Sequence, residues 1–298
     1  MIATRKIKSV TVVVAAYNEQ GNILWLLKDI LSQTSLPIKD YLITSIIVAS
    51  DCSSDDTEKN VENYARQKDV RVKLLRNKSR RGKMITLLDV FKNIDTDAVI
   101  SFDADIRLEE NCILNLLSNW DMDNYDLVGG NPIPQLSAHY WLSLSESASY
   151  FSWCLLREIK TIKPNSIFSA HGRILGLTQR LYKNLESYRN IKSGTDRAMY
   201  LASRGKFKYI PTAKIFYKCP KSVQDYFRQM KRYENAKVSS SDFPESLSFN
   251  EIFLVFFSAF LTAPYPAFCW LILRFCLFFR YKSTEPQHAL WESVSTTK

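Results

Sequence analysis

Glycine is in short supply: the 298-residue chain has eight, against 15 tyrosines and 17 phenylalanines. No Gly-x-x-x-x-Gly-Lys-Ser/Thr run occurs, which excludes a P-loop. The six cysteines, at 52, 112, 154, 219, 269 and 276, form no Cys-x-x-Cys pair. That excludes a disulfide scaffold and a zinc ribbon, and points to reduced thiols in a cytosolic setting. Zinc-finger spacing, a helix-turn-helix pattern and an RNA-binding aromatic signature are also missing, so nucleic acid is not an expected partner. The opening MIATRKIKSV lacks a long apolar stretch after its basic residues, so no signal peptide is expected and the folded part is placed on the cytoplasmic face. No internal repeat or low-complexity tract is found.

Positive charge is abundant. Forty Lys and Arg against 30 Asp and Glu leave a net charge of +10, which draws anions such as phosphorylated substrates or acidic lipid headgroups. Through residue 130, short apolar runs at 10–16, 43–49, 70–75, 98–102 and 127–130 alternate with helical spacing at 21–32, 56–68, 82–93 and 109–120. This alternation predicts an α/β fold with a mostly parallel sheet flanked by helices. Ligands of such sheets sit beyond the carboxyl ends of the strands. The expected organisation is one α/β domain over 1–240, divided near residue 130. An apolar segment over 250–281 and a tail over 282–298 follow.

Residues 252–273 carry no charge, and the apolar run reaches Phe279 with only Arg274 inside it. A run of this length reads as membrane-associated. Pro264 and Pro266 break it into two pieces of about 18 Å each, short of a hydrocarbon core of about 30 Å. Basic residues flank both sides: Lys231, Arg232 and Lys237 before, Arg274, Arg280 and Lys282 after. Such symmetry favours a re-entrant or interfacial hairpin over one clean crossing.

Polar clusters follow the apolar strands. Ala16-Tyr17-Asn18-Glu19 closes the first, offering backbone groups and a flat ring to a base. Asp51 follows the second directly, where a carboxylate can accept from a pyrimidine N–H or a ribose hydroxyl; Ser54, Asp55 and Thr57 read as the cap of the next helix. In NKSRRGKMI, Gly82 opens a helix start with Arg80, Arg81 and Lys83 around it, suited to a diphosphate. Asp103 and Asp105 end the fourth apolar run, one residue apart, and strand periodicity sends both carboxylates to one side. Such a pair repels itself unless a cation intervenes, and Mg²⁺ or Mn²⁺ takes hard oxygen ligands and completes its shell with substrate phosphates. Asp196 opens a helix as a candidate general base. Gln229, Arg232 and Tyr233 share a helical face suited to a diphosphate or a sugar, and His171 is a candidate extra metal or acceptor contact.

In this order, the clusters resemble the inverting family 2 glycosyltransferases of GT-A fold, over about residues 10–237. The resemblance implies a Rossmann-like GT-A catalytic domain over 1–240, its donor-binding half about 1–130 and its acceptor half about 131–240, plus a C-terminal membrane-associated helical segment. It implies transfer of a sugar from a nucleotide-sugar, UDP favoured, to a lipid-linked or membrane-proximal saccharide acceptor. Ala16, Tyr17, Glu19, Asp51 and Lys83 would then hold the uridine part, and Asp103 the ribose and diphosphate. Asp105 would coordinate Mn²⁺ or Mg²⁺, and Asp196 would serve as base. Gln229, Arg232 and Tyr233 would lie over the diphosphate and acceptor. Two positions depart from the pattern: Thr195-Asp196 stands for the usual Glu-Asp, and Tyr233 for the usual tryptophan. One membrane element instead of several favours a single transfer over processive synthesis. The terminal ALWESVSTTK is similar to the tails of some membrane-bound relatives. A nucleotidyltransferase on a related fold and a catalytically silent membrane-attached subunit are the competing readings.

Overall fold

A computed structural model describes residues 7–34, 38, 40–69, 71–190, 194–235 and 246–281. Lys237, Lys282 and the tail over 282–298 lie outside the described residues. The first strand, β1 (Lys8–Ala16), is a valine-rich run. Its side chains alternate between two cores: Val10, Val12 and Val14 enter one, Val13 and Ala15 the other. Burial on both faces is what a central parallel strand requires. Strands β2 (Tyr41–Ser50), β3 (Val72–Arg76) and β4 (Ala98–Asp103) run parallel to it in the order β3-β2-β1-β4. Helices α1 (Ile23–Thr34), α2 (Thr57–Gln67) and α3 (Lys83–Lys92) make the connections. This half matches the expectation.

The second half does not stay parallel. After β5 (Ile106–Leu108) and α4 (Cys112–Ser118), β6 (Leu127–Gln135) joins the sheet, then β7 (Ile174–Thr178) and β8 (Phe207–Lys218), giving the order β3-β2-β1-β4-β7-β6-β8-β5. Strand β7 inserts between β4 and β6, antiparallel to both, and β5 turns back along β8. All five residues of β7 are buried. A Cβ at Gly176 would stand 2.6 Å from Val128 and 2.7 Å from Trp120, so only glycine fits that crossing.

Helix α5 (Leu144–Ile162) carries the C-terminal element, α9 (Phe249–Thr262) and α10 (Pro264–Tyr281), with α6 (Gln179–Tyr182), α7 (Thr195–Ala202) and α8 (Val223–Asn235) between in sequence. A capping box at Ser248 and Glu251 starts α9. The run breaks at Ala263, and Pro264 opens α10, where its missing N–H costs nothing. The sequence placed the break correctly. Among the described residues, no helix is long and apolar enough to cross a membrane. The two helices face inward with small residues: Ala259, Ala263 and Ala267 meet Phe151 and Cys154 of α5. Outward they present large ones: Phe253, Phe257, Leu261, Phe268, Ile272 and Phe275 are each 51–66% exposed. Monomeric proteins rarely show water so large a contiguous apolar face. All six cysteines are free.

Candidate active site

The carboxyl ends of β1, β2 and β4 bring Tyr17, Asp51 and Asp103 to one edge. Ala16 is fully buried, and its carbonyl accepts from the Asp51 N–H at 2.9 Å, locking the two strand ends in register. Beyond it, Asn18 takes a left-handed conformation (φ 53°) and its side chain accepts from the Ser54 N–H at 2.8 Å. The turns after β1 and β2 are thereby clasped. The Tyr17 ring lies under the Arg80 guanidinium, 3.8 Å from the ring centroid. Glu19 is buried and turned inward, accepting from Asn22 Nδ2 at 2.8 Å.

Asp51 is fully buried and heavily engaged. Its Oδ1 accepts from the Arg81 N–H (2.8 Å), Asn77 Nδ2 (3.0 Å) and Thr86 Oγ1 (3.1 Å), and its Oδ2 from the Gly82 N–H (2.9 Å). The carboxylate therefore shapes the loop that carries Arg80, Arg81 and Lys83. Gly82 sits at φ 85°, which lets that loop turn into α3.

Lys83 forms an ion pair with Asp103 and donates to the Gly172 carbonyl at 2.8 Å. Strand β4 ends at Asp103, and Asp105 lies in the turn before β5, so the turn and not strand periodicity brings both carboxylates to the edge. Burial raises the Asp105 pKa; Arg173 and Lys83 oppose the rise and Asp103 adds to it. A carboxylate so placed fits a hard divalent cation, which needs few protein oxygens when substrate phosphates supply the rest. Among the described residues, no three His, Cys, Asp or Glu side chains gather as a metal group; Asp103 and Asp105 offer two carboxylates at this edge.

Two residues that the sequence did not single out complete this wall. Arg173 is buried and stacks on Tyr217, its guanidinium 4.0 Å from the ring centroid. Its Nη1 lies 3.0 Å from His171 Nε2; a guanidinium only donates, so Nε2 accepts. Burial works against the Arg173 charge, but Tyr233, Asp105, Tyr217 and Asp103 carry its pKa upward. His171 is pushed well below the usual range, by burial first and then by Arg173, Lys160 and Lys83, so it is neutral. The second residue, Lys160, sits near the end of α5 over the Tyr209 ring, and burial pushes its ammonium down to about 8.

Gly194, in a left-handed conformation (φ 76°), caps α7, and Asp196 stands in its first turn. Asp196 accepts from the Arg197 N–H at 3.0 Å and the Gly172 N–H at 3.4 Å. Gly172 thus touches Lys83 through its carbonyl and Asp196 through its N–H. On α8, Gln229 is buried, Arg232 half-buried and Tyr233 exposed. Tyr233 is near enough to act on both Arg173 and Tyr217. Tyr226 and Met230 on the same helix pack on Leu273 and Leu277 of α10.

The sequence profile described as glycosyl transferase family 2 matches residues 11–185, more than half of the chain. This chain belongs to that family. The match spans the strands that bear Tyr17, Asp51 and Asp103, and ends before Asp196 and α8. An undecaprenyl-phosphate 4-deoxy-4-formamido-L-arabinose transferase from Proteus mirabilis is 29% identical over 129 residues, 43% of this chain. The chain spans only 38% of that relative's length. Among solved structures, a mannosyltransferase from Pyrobaculum calidifontis, in complex with GDP-Man and Mn²⁺, is similar with a TM-score of 0.59 at 17% identity, covering 95% of this chain and 77% of that one. GalNAc-T7, solved with UDP, GalNAc and Mn²⁺, gives 0.53 at 13% identity over 71% of this chain and 44% of its own. At such identities the glycosyltransferase shares their fold, and the likeness says no more than that.

Proposed function

We propose that this family 2 glycosyltransferase moves a sugar from a nucleotide-sugar, UDP first in expectation, to a lipid-linked or membrane-proximal acceptor, in a single inverting displacement. The observation that carries the reading is Gly172, which joins the Lys83–Asp103 pair on the donor side to Asp196 on the acceptor side. An in-line displacement needs a base at the attacking hydroxyl and positive charge at the departing diphosphate, and these contacts hold a candidate for each close together. Tyr17 and the loop anchored by Asp51 receive the nucleoside, with Ala16 and Glu19 fixing the turn. Lys83 meets the diphosphate. Asp105, with Asp103 beside it, would hold Mn²⁺ or Mg²⁺, which supplies positive charge against the developing diphosphate. Asp196 takes the proton of the acceptor hydroxyl as its oxygen bonds to the anomeric carbon. The carbon–oxygen bond to the diphosphate breaks, and the electron pair leaves with the nucleoside diphosphate. Gln229, Arg232 and Tyr233 cover the diphosphate and acceptor. On this division, the donor half ends near residue 130 and the acceptor half near 240.

A screen of UDP-, GDP- and dTDP-sugars, with and without Mn²⁺, tests this on wild type and Asp105→Ala. Metal-dependent binding and slow hydrolysis of one donor, lost in the variant, is the expected outcome. Folded protein that binds none of them would sink the reading.

The exposed apolar face of α9 and α10 supports interfacial attachment to a membrane, and we place the catalytic part on its cytoplasmic face. The Proteus mirabilis relative, named for undecaprenyl phosphate, agrees with a lipid-borne acceptor. Burying one phenylalanine is worth about 1.5–3 kcal/mol. The triple variant Phe253→Ser, Phe257→Ser, Phe275→Ser is therefore expected to weaken vesicle co-sedimentation by at least about a hundredfold, with nucleotide-sugar binding kept. Unchanged sedimentation, or loss of a dimer instead, would assign that face to a second copy of the chain.

A further inference from the structure

Arg173 stands just before β7, and its two ends are anchored on two other strands. Its backbone carbonyl accepts from the Asp103 N–H at 3.2 Å, at the end of β4. Its guanidinium lies 4.0 Å from the centroid of the Tyr217 ring, near the end of β8. Tyr217 is in turn the strand partner of Ile106, the first residue of β5. The turn Ala104–Asp105 leads from Asp103 to Ile106, so it spans the same two anchors. The Arg173 side chain and the turn that bears Asp105 therefore run side by side across the ends of the strands.

Between those anchors the guanidinium has donors to spare. It carries five N–H groups and no acceptor. Its Nη1 donates to His171 Nε2 at 3.0 Å, while the buried Nε has no hydrogen-bond partner among the described residues. Lys83 is matched by Asp103, but no described carboxylate lies within ion-pair distance of Arg173. Asp105 and Asp103 act on its charge from farther off. A buried cation is costly to keep without a close anion, and Tyr217 and neutral His171 supply packing and direction but no charge. By charge the edge is balanced, with the carboxylates of Asp103 and Asp105 set against Lys83 and Arg173. A divalent ion on the carboxylates would give it two positive charges, the number that a nucleotide-sugar's diphosphate carries with opposite sign. Cleavage of the sugar bond adds one more negative charge to that diphosphate, so a fixed cation beside it stabilises the transition state more than the ground state.

We propose that Arg173 is a second cation of the donor's diphosphate, a catalytic residue that donates from Nε to the departing nucleoside diphosphate alongside Lys83. The assignment rests on the transferase reading, which brings a diphosphate to this edge. His171 and Tyr217 are positioning residues that hold the guanidinium between the strand ends. Lys83 enters from the start of α3 and Arg173 from the start of β7, so two separate elements grip the leaving group. A guanidinium stays protonated throughout, so Arg173 exchanges no proton and the bond changes are those of the transfer itself.

The test compares UDP with UMP on the full chain in Mn²⁺, by calorimetry, so that only the second phosphate differs. GDP and GMP take their place if the donor screen selects guanosine. Arg173→Met is expected to lower UDP affinity about tenfold or more, the loss of a hydrogen bond to a charged group, and to leave UMP affinity near wild type. Mn²⁺ alone, followed by electron paramagnetic resonance, is expected to bind the variant no more weakly, because a repelling charge has gone from beside Asp105. A residue that merely braced the turn would weaken Mn²⁺, UMP and UDP together, and that outcome overturns the assignment. Arg173→Lys keeps the charge without the guanidinium fork and is expected to bind UDP with intermediate affinity. Should circular dichroism show the methionine variant unfolded, the lysine variant decides, and wild-type UDP affinity there overturns the assignment. UDP affinity unchanged in folded Arg173→Met sinks the assignment alone and leaves the transferase reading standing. If wild type binds neither UDP nor GDP with Mn²⁺, that reading fails and the role of Arg173 falls with it.

Discussion

Asparagine in place of Asp196 is expected to lower the rate of sugar transfer by about two to four orders of magnitude, the usual contribution of a positioned general base. Binding of the nucleotide-sugar is expected to stay as in wild type. The substitution is close to isosteric. Its carbonyl oxygen can still accept from the Gly172 N–H or the Arg197 N–H, the two backbone contacts of Asp196. What is lost is the capacity to take a proton. Steady-state kinetics with saturating donor, alongside a direct binding measurement, separates the two effects. A variant that keeps its kcat would remove Asp196 from the chemistry; one that loses donor affinity would make it a structural cap of α7.

Alanine at Asp51 is expected to harm both stability and donor binding. Four donors converge on that carboxylate: two backbone N–H groups from Arg81 and Gly82, and the side chains of Asn77 and Thr86. A buried donor left without an acceptor costs about 1–3 kcal/mol. If water rescues half of them, the remaining two still amount to about 2–6 kcal/mol. Urea unfolding reads this as a lowered midpoint. The same variant is expected to lose nucleotide-sugar affinity, because the loop holding Arg80 over Tyr17 and Lys83 at Asp103 is no longer pinned. An unchanged midpoint would mean that the loop is held by something other than Asp51.

Residues that carry their own periodicity were readable in advance. The valines of β1 and the apolar runs of β2 and β4 announced buried parallel strands, and the polar residues just past them gather at the edge of the candidate site. The prolines in the C-terminal run located the break at Ala263. Strand β7 was harder: ILGLT is only five residues long, and its antiparallel insertion between β4 and β6 is decided by partners far away in sequence. Asp51 stood out as a candidate site residue, but not its role toward Asn77 and Gly82, because a loop's return path leaves no periodic trace. Arg173 offered one clue, a lone charge in an apolar segment leading into a strand. Lys160 offered none, since a lysine near the end of an amphipathic helix is ordinarily solvated. Only the packing of α5 against the sheet shows it buried.

Gly172 sets a clearance inside the molecule. A Cβ there would lie 3.4 Å from the Lys83 ammonium and 3.5 Å from Asp196 Cβ. A methyl group just fits, and any longer side chain acts as a wedge that drives the two functional groups apart. On the proposed roles of Lys83 and Asp196, the smallest residue is a gauge block between the side where a bond would break and the side where one would form. The spacing between Lys83 and Asp196 is fixed by an absent side chain, and on the proposed mechanism widening it is expected to change acceptor choice before it unfolds the protein.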